Sequence, residues 1–129
     1  MIYDGLNGYV KGSMDVPNDT VLAMIKGPIK GKNWHNSSFD PAYAITITSG
    51  ATGEVTLEGT NDVVYASNDD SRVTISADIL PASDASWSTI QADTSTSASG
   101  TISTSYWFLR LRVATQGDGT VTSAWVDWN

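Results

Sequence analysis

A chain of 129 residues with a net charge of −7 and no cysteine can bury a core without disulfide or metal staples. The missing cysteine excludes disulfide frameworks, thiolate zinc sites and cysteine nucleophiles. The acidic balance argues against nucleic acid and anionic membrane as partners. No run reaches the roughly 18 apolar residues of a membrane span, and Met1-Ile2-Tyr3-Asp4 does not open a secretory leader, so a soluble intracellular protein is expected.

The first quarter holds all four lysines, Lys11, Lys26, Lys30 and Lys32; the rest has only Arg72, Arg110 and Arg112 as basic residues. The stretch "NDTVLAMIK" (18–26) reads either as a short capped helix or as a strand. The following "KGPIKGKNWHNSSFDP" (26–41) has glycines, prolines and little periodicity, and reads as an extended arm or long loop. Residues 1–40 are accordingly expected to form an arm region, and 41–129 a single β domain.

Strand patterns dominate from there. "YAITITS" (43–49) and "GEVTLEGT" (53–60) alternate, the latter with Val55 and Leu57 inward and Glu54, Thr56 and Glu58 outward. "VVYAS" (63–67), "RVTISADI" (72–79) and "SWSTI" (86–90) are shorter candidates, and "TSTSASGTISTS" (94–105) is either a polar loop or an edge hairpin. "YWFLRLRVAT" (106–115) places Trp107, Leu109, Leu111 and Val113 on one face and Tyr106, Phe108, Arg110 and Arg112 on the other. "QGDGT" signals a hairpin that returns as "TVTSAWVDW" (120–128), where Trp125 and Trp128 fall on opposite faces unless a bulge intervenes. Short strands at this spacing predict an all-β fold, one antiparallel β-sandwich of jelly-roll type, with strand 106–115 paired to strand 120–128.

Few residues suggest chemistry. His35, with Ser37, Ser38 and Asp40, lies within seven consecutive residues, and a catalytic triad needs groups converging from separate segments. Asp62, Asp69 and Asp70 could offer oxygen ligands to Ca²⁺, but turn aspartates more often cap their own backbone. Two glycosylation sequons, at Asn18 and Asn36, carry little weight without a secretory leader. No catalytic residue, metal site or cofactor is expected. The arginines beside Tyr106 and Phe108 read instead as a subunit interface, since arginine and aromatics are enriched there and buried cations need carboxylate partners. Lys26, Lys30, Lys32 and Trp34 of the arm complete the expected contact set.

"VTLEGTND", "SWSTI", "YWFLRLRVAT" and "GDGTVT", in that order, resemble the strand and turn patterns of small β-sandwich proteins in tailed-bacteriophage virions, and loosely those of discoidin-type jelly rolls. The resemblance covers residues 43–128 and carries no catalytic residues. It implies a structural virion protein, a capsid decoration (cement) protein on the virion surface, assembled in the host cytoplasm. It implies the major capsid protein as partner and a homo-oligomer, a trimer before a dimer. The other reading is a carbohydrate- or receptor-binding sandwich module, for which five tryptophans would supply stacking rings.

Overall fold

Thr, Val and Ile alternate with polar residues in segments too short and too β-branched for stable helices. They form ten strands among residues 11–26, 41–65 and 79–127, the residues described by the structure, a computed structural model. These are β1 (Gly12–Ser13), β2 (Val21–Lys26), β3 (Ala42–Ile47), β4 (Glu54–Thr60), β5 (Val63–Tyr65), β6 (Ile79–Pro81), β7 (Ser88–Thr94), β8 (Ala98–Thr101), β9 (Phe108–Thr115) and β10 (Thr120–Asp127). The described residues contain no helix.

The pairing is nested. β1 pairs with β10, β2 with β9, β3 with β8, β4 with β7 and β5 with β6, every pair antiparallel. The chain is thus one long hairpin with β5 and β6 at its tip. Additional ladders β10–β3 and β9–β4 roll this hairpin into two four-stranded sheets, ordered β1-β10-β3-β8 and β2-β9-β4-β7. Eight strands distributed in this way form a jelly roll, the architecture expected from the strand spacing.

The inner faces meet in one core. Ala23, Ile25, Val55, Leu57, Leu109, Leu111 and Val113 come from one sheet, and Tyr43, Ile45, Ile47, Val121, Ala124 and Val126 from the other. Leu109, Leu111 and Val113 are wholly buried, as the alternation of 106–115 requires. The segment 94–105 resolves into an edge strand, β8, and 18–26 into a strand rather than a helix.

Two expectations are corrected. β9 and β10 do not pair with each other; they lie in different sheets. A two-residue type I′ hairpin needs positive φ at both central residues, and here Gly119 has φ 124° while Asp118 does not adopt that region. The Asp118 carbonyl accepts instead from the Thr52 and Gly53 amides, and its own amide donates to Thr52 Oγ1. The two glycine-rich connections, 48–53 and 116–119, therefore bond to each other as crossovers between sheets. Gly53 and Gly117 touch: a Cβ on Gly117 would sit 2.5 Å from the Gly53 nitrogen. Met14 plugs this corner, with its amide bonded to the Gly119 carbonyl and its carbonyl to the Gly117 amide.

The second correction concerns the arm. Residues 11–26 belong to the sandwich: β2 pairs with β9 along its length, and Met14, Ala23 and Ile25 are core residues. "VLAMIK" keeps strand periodicity to Lys26, so the boundary placed at residue 40 lies too late. Residues 1–10 and 27–40 fall outside the described set, as do most of the strand expected at 72–79 and Trp128.

Leu111→Ala should cost about 2–5 kcal/mol in denaturant unfolding, the range for a large-to-small change in a packed core. Gly117→Ala should destabilise more than Gly50→Ala. The first meets backbone at 2.5 Å, whereas Gly50 has open space and only its φ of 79° to oppose a side chain, a strain of about 1–2 kcal/mol. Paired thermal melts of the two variants check that order.

Candidate functional site

β9 is central in its sheet, between β2 and β4, so its outward residues face two neighbours each. The register sets Arg112 opposite Thr56, Arg110 opposite Glu58 and Phe108 opposite Thr60 on β4. Opposed residues share a face, so Glu58 lies between the two arginines. Arg110 Nε donates to Glu58 Oε1 at 2.8 Å, and Arg112 Nε donates to the same oxygen at 3.0 Å. Arg112 Nη2 donates to Oε2 at 3.0 Å, making a bidentate fork, and its Nη1 donates to Asp19 Oδ1 at 2.6 Å. The Arg110 guanidinium also lies 3.9 Å from the Trp87 ring centroid, a cation–π contact.

Asp19 reaches Arg112 from the β1–β2 turn. It holds φ 72°, and the Thr20 amide closes the turn onto the Pro17 carbonyl. Positive φ at the third position of such a turn is tolerated by Asn and Asp better than by most residues. Asn18 Oδ1 accepts from the Gln116 amide, fixing the turn against the end of β9.

The site is balanced: two cations, two carboxylates. Burial acts to raise the Glu58 pKa, but hydrogen bonds and charge from Arg112 and Arg110 outweigh it, and the carboxyl sits below its ordinary value of 4.5. Arg112 is held above its usual value, chiefly by its hydrogen bond to Glu58, which overcomes the opposing effect of burial. Glu58 is therefore a fixed anion at neutral pH and a poor general acid, and Arg112 has both partners it needs inside the chain. Thr56 and Thr60 beside it are also buried; Thr56 Oγ1 donates to the Gln91 carbonyl and Thr60 Oγ1 to the Ser86 carbonyl. This arrangement locks sheet, turn and Trp87 together.

The expected interface residues separate in the structure. Phe108, Arg110 and Arg112 share the outer face of this sheet, but Phe108 is wholly buried within the chain. Tyr106 does not join them. It precedes β9, and its ring packs over Gly59 beside the core, where a Cβ would meet it at 2.5 Å. The alternation extrapolated through 106–107 fails because those residues are not in the strand. The backbone of Lys26 pairs with Phe108, while its side chain and Lys30, Lys32 and Trp34 lie outside the described residues. Glu58, Asp19 and Trp87 were the partners missed. Glu58 was visible as the outward carboxylate of "VTLEGT", but only the β4–β9 register brings it to the arginines.

Asp62, a candidate calcium ligand, accepts from the Ser86 amide through Oδ2 and so secures the base of the β5–β6 hairpin. Asp69 and Asp70 lie outside the described residues. No known protein family, curated protein or solved structure matches the chain.

Glu58→Ala should cost roughly 3 kcal/mol, toward the low end for breaking a buried pair, because the arginines keep 21% and 19% of their side-chain surface exposed. The Glu58 contribution to stability is full above about pH 4.5 and is lost as pH falls through the lower native pKa. The stability gap between the native chain and Glu58→Gln, measured by denaturant titration across pH 2–7, should narrow over that acid window.

Proposed function

We propose that this chain is a structural virion protein of the capsid decoration (cement) type, seated on the major capsid protein by one end of its roll. The observation that carries this reading is how the connections are sorted. The short connections 14–20, 48–53, 95–97 and 116–119 gather at one end, where three of them are tied by Met14–Gly119, Thr52–Asp118 and Asn18–Gln116 hydrogen bonds. The two long ones leave from the other end, from Lys26 to Pro41 and from Asn61 to Trp87, beside the shorter connection 102–107. Rigid scaffolds place recognition on their longer loops.

The long-connection end combines the chemistry a docking surface needs. The sequence from Lys26 to Pro41 supplies three lysines and Trp34 in a chain that is otherwise acidic. The β5–β6 hairpin at the same end sets Val64 directly opposite Leu80, and both are exposed, at 47% and 39%. An exposed apolar pair on a two-stranded ribbon gains by being covered. The arginine–carboxylate network is satisfied within one chain, so the proposed self-association draws on this end and not on Arg110 and Arg112.

The test is to band phage particles assembled with tagged chain by density and count copies per capsid. Decoration-level copy number on heads is expected, with Lys30→Glu/Lys32→Glu reducing occupancy at least several-fold and leaving the β-rich circular dichroism intact. A chain absent from heads, or a double variant at full occupancy, contradicts the proposal.

A further inference from the structure

Glu58 is shared unequally by its two arginines. Arg112 places three of its nitrogens on carboxylates, Nε and Nη2 on Glu58 and Nη1 on Asp19. Arg110 places only one, Nε, on Glu58 Oε1. Among the described residues nothing accepts from Arg110 Nη1 or Nη2. Those two nitrogens are not sealed inside the protein. Every wholly buried side-chain nitrogen or oxygen among the described residues has a hydrogen-bond partner, so a nitrogen without one is reached by solvent. The fork is also fixed in place: Glu58 holds Nε from the β4 side, and the guanidinium lies 3.9 Å from the Trp87 ring centroid. Met24, half-buried, stands opposite Arg110 on β2 and shares its outward face. Among the described side chains the cations are Lys11, Arg110 and Arg112, and of the two arginines only Arg110 keeps both Nη groups unused.

We infer that the Nη edge of Arg110 receives one carboxylate from another protein, an Asp or Glu side chain on a surface of otherwise neutral or basic character; the inference is independent of the decoration reading. Two parallel N–H donors match the two oxygens of a carboxylate. Because Glu58 and Trp87 already hold the guanidinium, little side-chain freedom is lost when the fork is filled. A single fork beside an existing anion suits a monoanion. A phosphate dianion brings a second charge against Glu58 and Asp19, which lie in the same network. The net charge of −7 constrains the rest of the partner: a strongly acidic surface is repelled, and a second copy of this chain is one. A free carboxylate on one partly exposed fork is held weakly, on the order of millimolar, so the contact serves inside a larger interface. Its neighbours suit that setting. Trp87 and Met24 flank Arg110, and aromatic residues, methionine and arginine are the types enriched at interface cores.

The full chain is titrated with two acetylated, amidated peptides, Lys-Glu-Lys and Lys-Gln-Lys, and followed by NMR at the Arg110 Nε–H and the Trp87 indole N–H. The glutamate peptide should shift both signals saturably in the millimolar range, and the glutamine peptide should bind several-fold more weakly. Arg110→Lys should weaken the glutamate peptide several-fold, because an ammonium cannot form the fork. Met24→Glu sets one of the chain's own carboxylates beside Arg110 and removes none of the native ion pairs. It should abolish peptide binding, which keeps the inference testable even where Arg110→Lys fails to fold. Several results overturn it: no saturable shift, equal binding of the two peptides, or undiminished binding by Met24→Glu. So would inorganic phosphate moving the same signals at lower concentration than the glutamate peptide, or a native dimer in sedimentation that Met24→Glu converts to monomer.

Discussion

The contact between Gly53 and Gly117 is the constraint on which the roll depends. Two connections cross between sheets at that point, and their backbones approach closer than any side chain allows. With the crossing in place, β3 and β4 must enter different sheets, as must β9 and β10. The long hairpin then folds over itself, and the apolar faces of both halves meet. Met14 seals the corner from the β1 side. The backbone bonds of Asp118 show why an Asp-Gly pair, ordinarily a hairpin signal, serves here as a corner. Its carbonyl is engaged by the neighbouring crossover and not by its own strand.

From this follows a division of labour between the two sheets. One carries its charges outward, locked as Arg110–Glu58–Arg112–Asp19 with Trp87 stacked on Arg110. These pairs hold the β1–β2 turn and the 82–87 segment to the sheet. The other sheet sets Trp125, Ala44 and Ser99 in one outward row, with Ser123 and Thr46 in the next. The proposed docking on the capsid falls away from that network, at the end with the long connections.

The sequence made the strands legible because alternation is a local property. "GEVTLEGT" and "YWFLRLRVAT" could be read within one residue or two of β4 and β9, and the buried set Val55, Leu57, Leu109, Leu111 and Val113 followed from parity alone. Partners were less legible. Nothing local states that β9 lies between β2 and β4, so Glu58 cannot be assigned to Arg110 and Arg112 from the sequence, and the carboxylate they need is one the chain itself supplies. Phe108 was misjudged for the same reason: outward on a strand is not the same as exposed when other segments cover the sheet. The glycines of "SGATG" and "QGDGT" were recognised as turns, but turn residues do not declare which sheet the next strand will join.

Side-chain footprinting with hydroxyl radicals, comparing free chain with particle-bound chain, addresses the functional account most directly. Val64, Leu80 and Val21 are the exposed large aliphatics among the described residues; the first two lie at the long-connection end and Val21 begins β2 at the other. Attachment by the long-connection end predicts that Val64 and Leu80 lose reactivity on the particle while Val21 retains it. Protection of Val21 with Val64 and Leu80 unchanged would contradict the account.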